Sequence, residues 1–178
     1  MFSDVAGFTK RSSTMAPDQI RKMLNEYFEA MTDIVFRYEG TVDKFMGDGL
    51  MVFFGDPEPQ PDHAERCVRM AVDMQKKIRE IGESWPRHGD QPLQIRIGIN
   101  TGVVVVGNIG SARRLSYTVL GSEVNLAQRL ESSAPVGGIL ISSRTHGLLN
   151  GAVPTRPAGQ FKVKGFDEPV DGYEVIID

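Results

Sequence analysis

The sequence predicts an α+β domain: an antiparallel sheet with its helices on one face, in the ferredoxin-like βαββαβ arrangement, followed by extra C-terminal strands. Three observations carry this. Apolar residues recur at three- and four-residue steps from Ile20 to Tyr38, the period of an amphipathic helix. Apolar runs flank Gly47-Asp48-Gly49, the pattern of a β-hairpin. Apolar and polar residues alternate from Leu93 to Asn100, the period of a half-buried strand. The order strand, helix, hairpin, helix, strand belongs to an antiparallel sheet, not a doubly wound one.

Taken in order, a short first strand leads to Asp4, and a loop follows. Pro17-Asp18 opens the long helix, whose apolar face is Ile20, Met23, Leu24, Tyr27, Phe28, Met31, Ile34, Val35 and Tyr38, and Gly40 ends it. After the hairpin, Pro57, Pro59 and Pro61 break the chain before a second helix over 62–81, with Cys67, Ala71, Met74 and Ile78 on one face. A polar loop from Gly82 to Pro92 precedes the alternating strand. The run Val103 to Val106 is apolar enough to predict a strand covered on both faces, with 117–120 returning beside it. A helix over 122–132, a strand over 138–141, a short helix capped by Ser142 or Ser143, and strands over 161–164 and 173–177 complete the chain.

The 178 residues make one domain, residues 1–178, long enough for a full core without disulfides or metal staples. Twenty Lys and Arg against 23 Asp and Glu give a net charge of −3, which argues against a nucleic-acid track and leaves room for a small anionic ligand. The lone Cys67 excludes an internal disulfide and fits a reducing, cytoplasmic setting. No apolar run approaches the ~20 residues of a membrane span, so no membrane contact is expected of the domain itself. Met1-Phe2-Ser3 is only a stub before Asp4, where strands usually run about 5–6 residues. The chain therefore reads as excised from a longer protein, with any membrane tether of the parent lying upstream.

Two aspartates stand out. Asp4 follows the first strand beside Gly7, and Asp48 sits at the hairpin tip between two glycines. A strand-end and a hairpin-tip carboxylate can cradle divalent ions on a nucleoside triphosphate. Taken singly, Asp48 serves a turn and Asp4 caps a loop equally well. Asn125 and Arg129 lie four apart on one helix, one turn from each other, beside a core face of Val124, Ala127 or Ala134, and Leu130. Alone, they read as a solvated Asn and Arg. Arg96 alternates with Ile95 and Ile97 as a solvent-facing Arg would, and Lys164 suits a solubility role. His63 and Cys67 have a zinc-compatible spacing but no second pair nearby. His88 and His146 read as surface residues, and Gly107 and Gly110 lack the strand-turn-helix context of a dinucleotide fingerprint.

Several ordered motifs together resemble the catalytic domain of class III nucleotidyl cyclases. They are Phe2-Ser3-Asp4, Gly47-Asp48, the run from Tyr117-Thr118 through Asn125 to Arg129-Leu130, and Val163-Lys164-Gly165. The resemblance spans essentially the whole chain. It implies conversion of a nucleoside triphosphate to a 3′,5′-cyclic nucleotide and pyrophosphate, with two Mg²⁺ or Mn²⁺ ions per site. It places those ions on Asp4, Asp48 and the Val5 backbone. It puts β- and γ-phosphate oxygens against the backbone of Ala6, Gly7, Phe8 and Thr9, with charge from Arg96 and Lys164. Arg129 would face charge developing on the α-phosphoryl group, and Asn125 would orient the ribose.

The resemblance also assigns base choice to Lys44 and Thr118. Adenine offers an N1 acceptor and an N6 donor, which suit an ammonium and a hydroxyl oxygen. Guanine reverses the pattern and leaves Lys44 opposing an N1–H donor, at about 1–3 kcal/mol per unpaired buried group. ATP is therefore the expected substrate, although threonine can donate as well as accept. Threonine at this position resembles the bacterial and soluble subclass, some of whose members respond to bicarbonate, which makes bicarbonate a candidate activator. The resemblance implies a homodimer with two shared sites, Asp4 and Asp48 of one subunit facing Lys44, Thr118, Asn125, Arg129 and Lys164 of the other. The valine strand and its partner read as a dimer arm. The alternatives are a guanylyl cyclase, or more distantly a diguanylate cyclase, and a catalytically silent nucleotide- or bicarbonate-sensing module.

Overall fold

The structure, a computed structural model, describes residues 1–84, 92–163, 166 and 168–177. Strand β1 (Phe2–Val5) lies antiparallel between β3 (Gly49–Phe53) and β4 (Ile95–Ile99), with Phe2 opposite Met51 on one side and Asp4 opposite Arg96 on the other. Strand β2 (Thr41–Met46) pairs with β3 as the predicted hairpin. Beyond β4, β7 (Ile139–Ser142) adds in parallel, and β9 (Val170–Val175) and β8 (Thr155–Phe161) complete a sheet of order β2-β3-β1-β4-β7-β9-β8. The first four strands with their two long helices are the expected βαββαβ unit. A separate two-stranded ribbon is formed by β5 (Val105–Ser111) and β6 (Arg114–Leu120).

The period-two alternation of strands divides this sheet into two chemically different faces. Val5, Leu50, Val52, Ile95, Ile97 and Ile99 point to one core beneath helices α2 (Pro17–Arg37) and α3 (His63–Ser84), where Met23, Tyr27, Met31, Val68, Met74 and Ile78 meet them. Each such aliphatic side chain contributes about 1.5–3 kcal/mol by leaving water. The intervening residues Phe2, Asp4, Met51, Arg96 and Gly98 point to the other face, which α4 (Ser122–Ser133) partly covers. Helices thus lie on both faces, not one as the sequence pattern implied. The two long helices keep the ferredoxin-like side, and α4 takes the side of Asp4.

Gly98 makes that covering possible. A Cβ there would stand 2.0 Å from the Glu131 nitrogen and 2.4 Å from the Ala127 oxygen, so α4 rests directly on the β4 backbone. Asn100 ties down the start of α4, donating from Nδ2 to the Glu123 carboxylate (2.7 Å) and carbonyl (2.9 Å). The buried face of α4 is Leu126, Ala127, Leu130 and Glu131. Leu126 and Glu131 are therefore additions to the expected face.

Other elements depart from the sequence reading in instructive ways. The long helix ends at Tyr38 and Glu39, with Glu39 at φ 57°, and the Gly40 N–H donates to the Val35 carbonyl at 3.0 Å. This is a Schellman closure whose left-handed residue is Glu39. Gly40 is needed for space instead, because a Cβ would meet the Phe54 ring at 2.8 Å. A short helix α1 (Phe8–Ser12) occupies part of the predicted loop. A second short helix, α5 (Ser143–Leu148), is capped by the Ser142 side chain, which accepts from the Thr145 N–H at 3.3 Å. The tail strands are shifted: β8 ends at Phe161, where a strand was expected to begin.

The largest correction concerns the valines. The strand starts only at Val105, and Val103 and Val105 are 84% and 69% exposed, not covered on both faces. Leu120, directly opposite Val105, is exposed too, as are Leu115 and Tyr117 farther along the same ribbon.

Candidate active site

The hairpin tip is a two-residue turn, Gly47-Asp48, closing the pair Met46 and Gly49. Gly47 has φ 65°, a left-handed value at the first central position, where glycine is cheap. The turn brings the Asp48 carboxylate back to the end of β1, where Oδ2 accepts from the Val5 N–H at 3.2 Å. Asp4 emerges from β1 beside it, close enough for its carboxyl to act on that of Asp48. Burial first, then the neighbouring Asp4 carboxyl and its charge, push the Asp48 carboxyl up to about 7. Asp4 Oδ2 also accepts from Arg96 Nη2 at 3.1 Å, directly across the β1–β4 ladder.

Two converging carboxylates with the Val5 backbone make an all-oxygen donor set, the chemistry that suits Mg²⁺ or Mn²⁺. Among the described residues no cluster of three or more His, Cys, Asp or Glu could hold a metal. A pair of carboxylates is nonetheless sufficient for Mg²⁺, which takes one or two from the protein and completes its shell with water and phosphate. His63 and Cys67 lead elsewhere: Cys67 is buried, which pushes its thiol up to about 11.

The backbone after Asp4 turns at Gly7 (φ 68°, ψ 22°), which is exposed, and a β-carbon placed there would meet no atom within 4 Å. Phe8 and Thr9 open α1, so their N–H groups belong to a first turn without intrahelical acceptors. Ala6 differs from its neighbours, because its N–H donates to the Gln94 carbonyl at 2.8 Å. The phosphate cradle expected over Ala6 to Thr9 therefore has its open donors at the Gly7 end and not at Ala6.

Arg96 is engaged within the protein. Besides Asp4, its Nε lies 3.5 Å from Glu131 Oε1, and Nη1 donates to the Ser132 carbonyl at 3.4 Å. Burial, then the Asp4 charge, push the Glu131 carboxyl up, and Arg96 opposes them. Glu131 escaped the sequence reading, although it falls one helical turn after Ala127 and so on the covered face of α4. On the outer side of that helix Asn125 and Arg129 are exposed, and neither side chain makes a hydrogen bond or ion pair to another described residue. Lys164 and His88 lie outside the described residues.

Lys44 and Thr118 come together across β2 and β6, Lys44 Nζ donating to Thr118 Oγ1 at 3.1 Å. Asp43 joins them. Its side chain is fully buried, and its Oδ2 accepts from Thr118 Oγ1 at 2.6 Å and from the Val119 N–H at 3.2 Å. Adjacent strand residues normally face opposite ways, so Asp43 beside Lys44 gave no sequence signal. A register shift between Val42 and Lys44 breaks the alternation and turns Asp43 toward β6.

With this geometry in hand, the similarities of the chain are informative. A family profile described as the adenylate and guanylate cyclase catalytic domain matches residues 1–176. The chain is 33% identical to adenylate cyclase 1 of Rhizobium meliloti, over 99% of this chain and 27% of that protein. It is 35% identical to an adenylate cyclase of Mycobacterium bovis, over 93% of this chain and 36% of that protein. The chain thus spans about a third or less of these curated relatives. Among solved structures it superposes on the adenylyl cyclase CyaB from P. aeruginosa with a TM-score of 0.95 and 44% identity, covering 99% of this chain and 92% of that one. It superposes on the guanylyl cyclase Cya2 with a TM-score of 0.90, also at 44% identity, covering 98% and 88%. A match over nearly every residue, on a fold that gathers Asp4 with Asp48 and Lys44 with Thr118, means that this chain belongs to the adenylate and guanylate cyclase catalytic domain family.

Proposed function

We propose that the chain is an adenylyl cyclase domain, converting ATP to 3′,5′-cyclic AMP and pyrophosphate at sites shared by two copies. The observation that carries this reading is the contact of Lys44 Nζ with Thr118 Oγ1, an ammonium beside a hydroxyl on the sheet face that carries Asp4. Overall similarity does not choose the base, since an adenylyl and a guanylyl cyclase structure are equally identical to the chain. The local donor and acceptor pattern supports adenine, since an ammonium suits N1 and a hydroxyl oxygen suits N6.

Asp4, Asp48 and the Val5 carbonyl would hold two Mg²⁺ or Mn²⁺ ions, which when bound supply acidification of the ribose 3′-hydroxyl and charge neutralisation on the triphosphate. The open N–H groups around Gly7, Phe8 and Thr9 orient β- and γ-phosphate oxygens. Arg96 holds the Asp4 carboxylate in place and, with Lys164, adds positive charge on the triphosphate side. Asn125 and Arg129, exposed and uncommitted in a single chain, serve the substrate of the facing copy: Asn125 positions the ribose, and Arg129 stabilises charge developing at the α-phosphate. No covalent enzyme intermediate is needed, so positioning and electrostatics provide the rate enhancement.

The exposed apolar run supports the dimer. Val103, Val105, Leu115 and Leu120 are more than half exposed, with Val105 directly opposite Leu120 in the ribbon, and exposed apolar surface of this kind suits an interface. Purified protein with Mn²⁺ and either ATP or GTP tests the proposal. Cyclic AMP as the main product supports it, equal or preferential GTP use favours the guanylyl reading, and ATP binding without cyclic product favours a silent sensor. The same assay with added bicarbonate reads out activation.

A further inference from the structure

Thr118 alone is an ambiguous reader of a purine, since a free hydroxyl rotates to donate or accept as its ligand requires. In this chain it is not free. Asp43 is a carboxylate with a side chain buried to 0% exposure, so it can only accept. Its Oδ2 lies 2.6 Å from Thr118 Oγ1 and also takes the Val119 N–H at 3.2 Å. The Thr118 proton is therefore committed to Asp43, and only its lone pairs face outward. One of these already accepts from Lys44 Nζ at 3.1 Å, while Asp43 Oδ1 sits 3.2 Å from the same ammonium.

We propose that Asp43 is a positioning residue for base choice: it locks the Thr118 hydroxyl as an acceptor and restrains the Lys44 ammonium beside it, so that the pair accepts adenine and rejects guanine. This rests on the adenylyl reading above. An N6 amino group meets an outward lone pair at no cost to the lock. A guanine O6 meets that same lone pair, and supplying it with a proton means breaking a short, charge-assisted bond to a buried carboxylate. The lock gives threonine the polarity of a pure acceptor, a role its own chemistry does not guarantee.

The test is the ratio of kcat/KM for ATP to that for GTP in the full chain with Mn²⁺. Asp43→Asn keeps the shape but offers Thr118 an amide, so the hydroxyl regains its freedom. The ratio is expected to fall about tenfold, within the range that one buried hydrogen-bonding group provides. Thr118→Ser, which retains the hydroxyl, is expected to keep the ratio within about threefold of the parent. In a Thr118→Val background Asp43→Asn is expected to move the ratio by clearly less than in the parent, because there is no hydroxyl to lock and only the restraint on Lys44 is left to lose. Asp43→Ser, which removes the carboxylate with less bulk, gives a second reading should the asparagine variant not fold. A fall in activity that is equal for both nucleotides overturns the assignment and makes Asp43 a fold residue only. A parent ratio at or below one instead defeats the adenylyl reading, which separates the two failures. In a chain without turnover, competition between non-hydrolysable ATP and GTP analogues reads the ratio of affinities, which Asp43→Asn is expected to lower in the same direction.

Discussion

At the scale of single residues, the site is a set of charges whose partners lie far apart in sequence. Asp4 and Asp48 repel each other, and part of that repulsion is relieved by Arg96 and by the Val5 N–H. The Asp48 carboxyl, pushed up to about 7 chiefly by burial, binds its proton more tightly in the folded chain than in the unfolded one. The sign follows from linkage: the associated stability is present below the ordinary carboxylate range near 4 and is lost as pH rises through about 7. In the presence of a chelator the thermal midpoint should therefore decline between pH 5 and 8. Asp48→Asn should flatten that decline, and Mg²⁺ or Mn²⁺ should raise the midpoint most at pH 8. A parent and variant with parallel pH profiles would contradict this. The carboxylates were legible as a pair in the sequence because glycines flank them. Asp43 and Glu131 were not, since one depends on a β-bulge and the other on how α4 seats.

At the scale of elements, α4 joins fold to chemistry. Its inner face packs Leu126, Ala127 and Leu130, its outer face presents Asn125 and Arg129, and Gly98 beneath it sets the distance to the sheet. Gly98→Ala inserts a β-carbon where backbone atoms stand 2.0 and 2.4 Å away, so the helix must lift. Overpacking of this kind costs about 1–3 kcal/mol. The accompanying shift of Arg129 should lower kcat by an order of magnitude or more while leaving metal binding in place. Thermal melts and steady-state kinetics on the one variant check both, and an unchanged kcat would show that α4 does not set the geometry of catalysis. Periodicity located this helix and its neighbours to within a few residues. It could not show that α4 crosses to the opposite face of the sheet from α2 and α3, because apolar spacing reports that a face is covered and not by what.

At the scale of the molecule, the proposal assigns two half-sites to one chain, which also exposes Val103, Val105, Leu115 and Leu120. The four-valine run signals burial in the sequence, yet Val103 and Val105 are exposed in a single chain. Both facts are reconciled if the burial is supplied by a second copy, as the dimer proposal requires. Val105→Asp should then leave the monomer's stability within about 0.5 kcal/mol, as exposed substitutions do. It should also cut specific activity at least tenfold at low protein concentration, with recovery as concentration rises. Sedimentation run beside the assay would show whether lost activity tracks lost dimer, and activity retained in a fully monomeric variant would contradict the proposal.

The central claim, that the metal carboxylates of one copy serve a substrate gripped by the other, has a direct test in mixed dimers. Asp48→Ala and Arg129→Ala chains, each inactive alone, are mixed in equal amounts and allowed to exchange. Sites shared across a two-fold axis predict recovery of about a quarter of the parental activity, since half of the dimers are mixed and each carries one intact site. A mixture as inactive as its components, with exchange verified, would place each site within a single chain and contradict the account.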